Sequence, residues 1–233
     1  MELWRIDEAV KGLCYDVESL VQNKNHTEMT EDELAYELAI CILGSGVRYE
    51  VCISYASALK QGNYLSREFI LCKGARGFLE NVLSKPVNSV TGDSIYNKYR
   101  YPVRGADHIL RSLSNIYAKY SCFKGLIESH NESDILRREL INICPGIGPK
   151  QASHYLKNVG HTCNVAILDR HIIKYMEMSN GVHISSYNVS KIDRYEEIEN
   201  KFIDLTRNFG FSASIVDQAL WFIMRALGGR VPA

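Results

Sequence analysis

The chain has 233 residues, 46% of them hydrophobic and 23% charged, which is enough apolar material for the core of one domain or of two small ones. Its 27 basic and 27 acidic residues cancel, which disfavours a broadly basic nucleic-acid binder and requires any phosphate-binding surface to come from local segregation of charge. Seven scattered cysteines without a CxxC pair exclude a disulfide framework and a four-cysteine zinc site; no apolar run reaches the roughly 20 residues that span a bilayer, and the acidic start Met1 to Glu8 is no secretory signal, so the expected setting is the cytoplasm or nucleoid.

The dominant period is helical. Glu31-Asp32-Glu33 opens an apolar helix over residues 31–43, because carboxylates favour the positive end of the helix dipole. Gly44-Ser45-Gly46-Val47 is flexible and leads into Arg48, which reads first as an exposed loop arginine. Ile53, Tyr55, Ala56 and Leu59 carry the next helix to a break at Gly62-Asn63-Tyr64. Residues 66–83 are predicted as one further helix and 86–91 as a loop. Lys98, Arg100, Arg104 and Arg111 interleave with Tyr99 and Tyr101; such a run reads as a solvated face, as do the acidic clusters Glu28–Glu37 and Asp193–Glu199. Ile109, Leu110, Leu113, Ile116 and Tyr117 give residues 104–119 one helix face. Ser133 or Asp134 caps a helix through Ile143, with Leu136 and Leu140 on its stripe. Tyr195, Ile198, Phe202, Leu205 and Phe209 form a later stripe. A last helix starts near Ser212 to Ser214 and carries Val216, Ala219, Leu220 and Ile223. With no alternating strand and no repeat, the expected fold is all-α, built from about ten short helices.

The chemistry concentrates in Ile143-Cys144-Pro145-Gly146-Ile147-Gly148-Pro149-Lys150-Gln151-Ala152-Ser153-His154-Tyr155-Leu156. Pro145 and Gly146 end one amphipathic helix. Gly148 allows a backbone conformation that a side chain would forbid. Pro149 suits the first turn of a second helix, where its missing N–H is not needed. Two helices joined by a tight glycine hairpin follow, and the free N–H groups at the second helix's start form an anion site suited to a DNA phosphate. An ordinary helix-turn-helix corner gives the same pattern. Asn158-Val159-Gly160 ends the second helix, and Val165-Ala166-Ile167-Leu168 runs into Asp169, which reads as the N-cap of a new helix.

CPGIGPKQASHYL followed by VAILDRH resembles the helix-hairpin-helix DNA glycosylase superfamily, and ASHYLKNVG with AILDRHI is most similar to its archaeal and bacterial 8-oxoguanine DNA glycosylase/AP lyase branch. ELAICILGSGVRYEV, YRYPVRGADHIL and IVDQALWF agree more loosely. The endonuclease III branch has a similar hairpin but usually binds an iron–sulfur cluster through four late cysteines. Here no cysteine follows Cys163, so that branch is disfavoured and no cofactor is expected.

The resemblance implies two helical lobes with a cleft between them, one from residues 41–160 and the other from residues 1–40 plus 161–233. It implies a monomer acting on double-stranded DNA that contains a damaged base. Lys150 corresponds to the nucleophile of the lyase members and Asp169 to the essential aspartate, with Gly146, Gly148 and Lys150 against a phosphate. The attacking amine must be unprotonated, a state that burial and a helix N-terminus both favour. Cap and partner are compatible roles for Asp169, because a capping carboxylate has a fixed position. Trp221 matches an aromatic position beside the flipped base, although a core tryptophan fits the sequence equally. Arg48 stands where a wedge could fill the gap left by that base. Archaeal members end in a lysine; this chain ends Gly228-Gly229-Arg230-Val231-Pro232-Ala233, which leaves Arg230 or the terminal carboxylate for that part. His154, His161 and His171 lack the carboxylate or thiol spacing of a metal site, and no metal is expected. The same fold acting on another modified base, and a non-catalytic module that holds phosphates alone, are the alternatives.

Overall fold

The structure, a computed structural model, describes residues 2–20, 25–181 and 183–228. Arg230 lies outside the described residues. The chain divides into two compact units, one formed by Asn25–Val159 and the other by Met1–Lys24 with Gly160–Ala233. Thirteen α-helices, one 3-10 turn and one two-stranded ribbon make up the regular structure of the described residues. The all-α class is therefore met, with more and shorter helices than the periodicity suggested.

In the 25–159 unit, α2 (Glu31–Leu43) starts with a capping box: Thr30 accepts from the Glu33 N–H, and the Glu33 carboxylate accepts from the Thr30 N–H. Leu34, Ala35, Leu38, Ala39, Ile40, Cys41, Ile42 and Leu43 are all buried. A helix that is apolar all round must be surrounded, and α2 packs on α3 (Tyr49–Gln61), α6 (Pro102–Tyr120) and α9 (Pro149–Asn158). This corrects the expected boundary at residues 40/41: the unit begins at Asn25 and α2 is its central helix. The helix expected over 66–83 is two, α4 (Arg67–Ile70) and α5 (Ala75–Ser84), interrupted at Gly74, whose φ of +88° no helix accommodates. The expectation of no strand also fails. Val87–Asn88 (β1) pairs antiparallel with Ile95–Tyr96 (β2), in a ladder too short to leave an alternating pattern. The remaining helices of the unit are α7 (Phe123–Glu128) and α8 (Ser133–Ile143). The N-cap of α8 is Glu132, so Ser133 and Asp134 lie inside the helix rather than before it.

The other unit has its own core. Ile6, Val10, Cys14 and Val17 of α1 (Leu3–Leu20) pack with Ile172, Tyr175 and Met176 of α10 (Arg170–Asn180), Tyr195 and Phe202 of α12 (Ile192–Thr206), and Val216, Ala219 and Leu220 of α13 (Ala213–Ala226). The short α11 (Ser186–Ser190) packs on α12. The stripe that ends at Phe209 leaves α12 through a 3-10 turn, Arg207–Phe209, stopped by Gly210 at φ +78°.

Candidate active site and nucleic-acid interface

The hairpin between α8 and α9 is fixed by its own chemistry and by α6. Gly146 has φ +87°, and a Cβ there would overlap the His108 ring of α6. The Asn115 amide donates to the Ile143 carbonyl at 2.7 Å and the Ser112 hydroxyl to the Pro145 carbonyl at 3.3 Å, so two α6 side chains hold the descending backbone. The special conformation expected at Gly148 falls on Gly146 instead: Gly148 is extended, which any residue could adopt, and Pro149 takes the first helical position. No side chain caps α9. Its first-turn N–H groups therefore lie at the positive end of the helix dipole without a capping side chain, an arrangement suited to an anion.

Lys150 sits on that first turn, half-buried. One turn further along α9, His154 rests against the exposed ring of Tyr49, with centroids 5.8 Å apart and planes inclined at 40°. Burial, then the cationic Lys157 and Lys150, push the His154 ring down to about 3, so it is uncharged at neutral pH. Burial pushes the Cys41 thiol of α2 well up and that of Cys52 of α3 up to about 12, so both stay protonated. Glu37 is buried and accepts from the Asn158 side chain at 2.9 Å. In the sequence His154 reads only as a rejected metal ligand and Glu37 only as the end of a solvated acidic cluster, so neither placement was anticipated. The four-residue spacing from Lys150 marked the first, and a carboxylate inside an apolar helix marked the second.

In the other unit, Asp169 caps α10 as its position after the apolar run implied. Its Oδ1 accepts from the His171 N–H at 2.7 Å and from the Ile172 N–H at 3.1 Å. Trp221 of α13 is half-buried and does not belong to the buried core of this unit. Its ring meets the His171 ring edge-on at 6.3 Å, and the Arg225 guanidinium lies 4.7 Å above it. Trp221 thus neighbours the Asp169 cap through His171.

Arg48 is exposed at the N-cap of α3. It lines a groove of about 410 Å³ together with Gly46, Val47, Lys98 and Arg100. The Tyr99 hydroxyl donates to the Leu43 carbonyl at 2.7 Å and Arg100 to the Gly46 carbonyl at 3.2 Å, which tethers the 44–48 loop. Arg100 and Arg104 both stack on Tyr101. The basic cluster is therefore organised around a loop and a groove; Arg111 stands apart, paired with Asp107. Among the described residues no group of three or more His, Cys, Asp or Glu is placed to hold a metal ion, and no helix is long and apolar enough to cross a membrane.

A family model described as 8-oxoguanine DNA glycosylase matches residues 17–211. The chain belongs to this family. Among characterised members, the 8-oxoguanine DNA glycosylase/AP lyase of Picrophilus torridus is 36% identical over 128 residues, 55% of this chain and 54% of that protein. The enzyme of the same name from Saccharolobus solfataricus is 33% identical over 129 residues, 54% of this chain and 59% of that one. The chain thus matches little more than half the length of these curated relatives. The fold agrees over a longer span. The crystal structure of the Methanocaldococcus jannaschii 8-oxoguanine DNA glycosylase has a TM-score of 0.74 at 25% identity, covering 96% of this chain and 94% of that one. The same enzyme in complex with a 15mer DNA containing 8-oxoguanine gives 0.74 at 23% identity, covering 95% and 98%. The resemblance carried by CPGIGPKQASHYL and VAILDRH is borne out at the level of family and fold.

Proposed function

We propose that the protein is a bifunctional DNA glycosylase/AP lyase that removes 8-oxoguanine from double-stranded DNA, as a monomer at the nucleoid, with Lys150 as nucleophile and Asp169 as its electrostatic partner. The observation that carries this reading is a half-buried lysine on the first turn of an uncapped helix, in a chain whose family model describes 8-oxoguanine DNA glycosylases. Pure phosphate binding would need neither a half-buried lysine nor a fixed carboxylate.

The chemistry follows from those groups. A stacked nucleotide hides its anomeric carbon, so the lesion must be flipped out, at about a few kcal/mol. The unprotonated Nζ of Lys150 then bonds to C1′, and the base leaves with the electron pair of the glycosidic bond and gains a proton. Opening of the sugar ring gives a Schiff base, and β-elimination expels the 3′ phosphate. A neutral His154 places no second cation against the amine. The Asp169 carboxylate, held by two backbone N–H groups, stabilises positive charge building on the sugar. Gly146 and Gly148 bring the α9 N-terminus against a phosphate, and Trp221 and Arg48 offer a stacking surface and a wedge.

The test is a panel of duplexes containing 8-oxoguanine, an oxidised pyrimidine, an abasic site or no lesion, with and without borohydride. The parent is expected to release 8-oxoguanine, nick the strand and become covalently trapped, whereas Lys150→Gln should bind the duplex and do none of these. Covalent trapping by Lys150→Gln would assign the nucleophile elsewhere, and excision of another base alone would change the substrate.

A further inference from the structure

The segment that delivers Asp169 is built in an unusual way. Val165, Ala166 and Leu168 are buried, yet residues 165–168 belong to no helix or strand. A buried run of this kind must find partners for its amides outside regular structure. Three consecutive N–H groups find them on three side chains. Ala166 donates to the Glu199 carboxylate at 2.9 Å, Ile167 to the Asp217 carboxylate at 2.9 Å, and Leu168 to the Tyr195 hydroxyl at 3.2 Å. Tyr195 in turn donates to the Ala166 carbonyl at 2.7 Å. The three side chains come from α12 and α13 and are themselves buried, at 0–3% exposure. Asp169 closes the run, its own N–H bonded to the Ile167 carbonyl and its carboxylate to the first turn of α10.

Burying two carboxylates is costly, and neutral acceptors would satisfy the same amides. What carboxylates add is shorter, stronger and more directional hydrogen bonds. Every backbone unit from Ala166 to Asp169 is thereby tied, and the direction of the Asp169 side chain is set before any substrate arrives. Catalysis is sensitive to such placement: a displacement of about 1 Å can cost about 100-fold in rate.

We propose that Glu199, Asp217 and Tyr195 are positioning residues that fix the Asp169 carboxylate through the backbone preceding it. This rests on the reading of Asp169 as a group used in catalysis, and the experiment separates the two. Single-turnover excision from an 8-oxoguanine duplex, duplex affinity and thermal stability are measured for Tyr195→Phe, Asp217→Asn and Asp217→Ala, each in the parent and in an Asp169→Asn background. Tyr195→Phe removes only the hydroxyl and retains the buried ring, so a folded variant is available. In the parent background, Asp217→Ala should slow excision about 100-fold and Tyr195→Phe about 10-fold, with affinity within about threefold. Asp217→Asn keeps a side-chain carbonyl acceptor without the charge and should recover part of the loss. In the Asp169→Asn background the same changes should slow excision no further, because there is no carboxylate left to position. Tyr195→Phe and Asp217→Ala variants that excise at the parental rate would overturn the proposal. So would losses of equal size in both backgrounds, which is the signature of a merely structural role. Failure of the underlying reading looks different: Asp169→Asn alone would then excise at the parental rate.

Discussion

Asp169 carries two roles that a pair of substitutions can pull apart. As the N-cap of α10 it accepts two backbone hydrogen bonds on a single oxygen, at 2.7 and 3.1 Å. Asparagine keeps a carbonyl oxygen in that place and ranks with aspartate as a cap, so Asp169→Asn should cost at most about 0.5 kcal/mol. Alanine removes the acceptor and leaves two N–H groups open, at about 1 kcal/mol and up to about 2. In a chain of this size that is a melting temperature lower by about 2–8 °C. The catalytic role follows the charge and not the cap. Losing a preorganised electrostatic group of this kind costs about 100- to 1000-fold in rate. Asp169→Asn should therefore melt within about 2 °C of the parent while excising at least about 100-fold more slowly, and Asp169→Ala should lose both stability and rate. Differential scanning calorimetry beside single-turnover excision reads the two effects in one preparation. If Asp169→Asn excised within a factor of about three of the parent, the carboxylate would be only a cap.

Two further outcomes test the hairpin and its surroundings. Gly146→Ala forces a side chain into φ +87° and against the His108 ring, and should lower stability by about 2 kcal/mol and weaken duplex binding. Gly181→Asn at φ +65°, with open space around it, should cost under about 0.5 kcal/mol, and equal melting shifts for the two variants would contradict the close approach to His108. Acid should also act through His154, whose ring is held neutral down to about 3 against an ordinary 6.5. The unfolded chain takes up a proton below 6.5 and the folded chain does not, so this contribution to stability is intact above 6.5, falls as the pH drops, and levels off near 3. Between pH 6.5 and 4.5 the loss is about 2 kcal/mol. Urea unfolding of His154→Phe across that range should show a shallower slope than the parent, and identical slopes would remove His154 from the account.

The hairpin and the cap were legible because a few residues dictate them. Pro145, Gly146 and Pro149 permit little else than a helix end, a left-handed turn and a helix start. An apolar run ending in aspartate before a helical period locates Asp169 equally well. What the sequence hid depends on tertiary neighbours. The place of α2 in the 25–159 unit follows from its being surrounded, which a single sequence does not display. Gly74 falls inside the span read as one helix over residues 66–83, and its positive φ divides that span. Glu199 fell in an acidic cluster read as a solvated face, yet it is buried against a backbone amide; the charge that signals solvent in a sequence is here spent on an internal hydrogen bond. Tyr49 and His154 are far apart in the chain, and only packing brings their rings together beside Lys150.

The measurement that bears most directly on the whole account is the identity of the amino acid joined to DNA after borohydride reduction. The parent protein is reacted with an 8-oxoguanine duplex, reduced, digested with protease and nuclease, and the modified peptide is sequenced by mass spectrometry. The account places the sugar remnant on Nζ of Lys150. A remnant on Lys157, on the chain's amino terminus or on any other amine would contradict it.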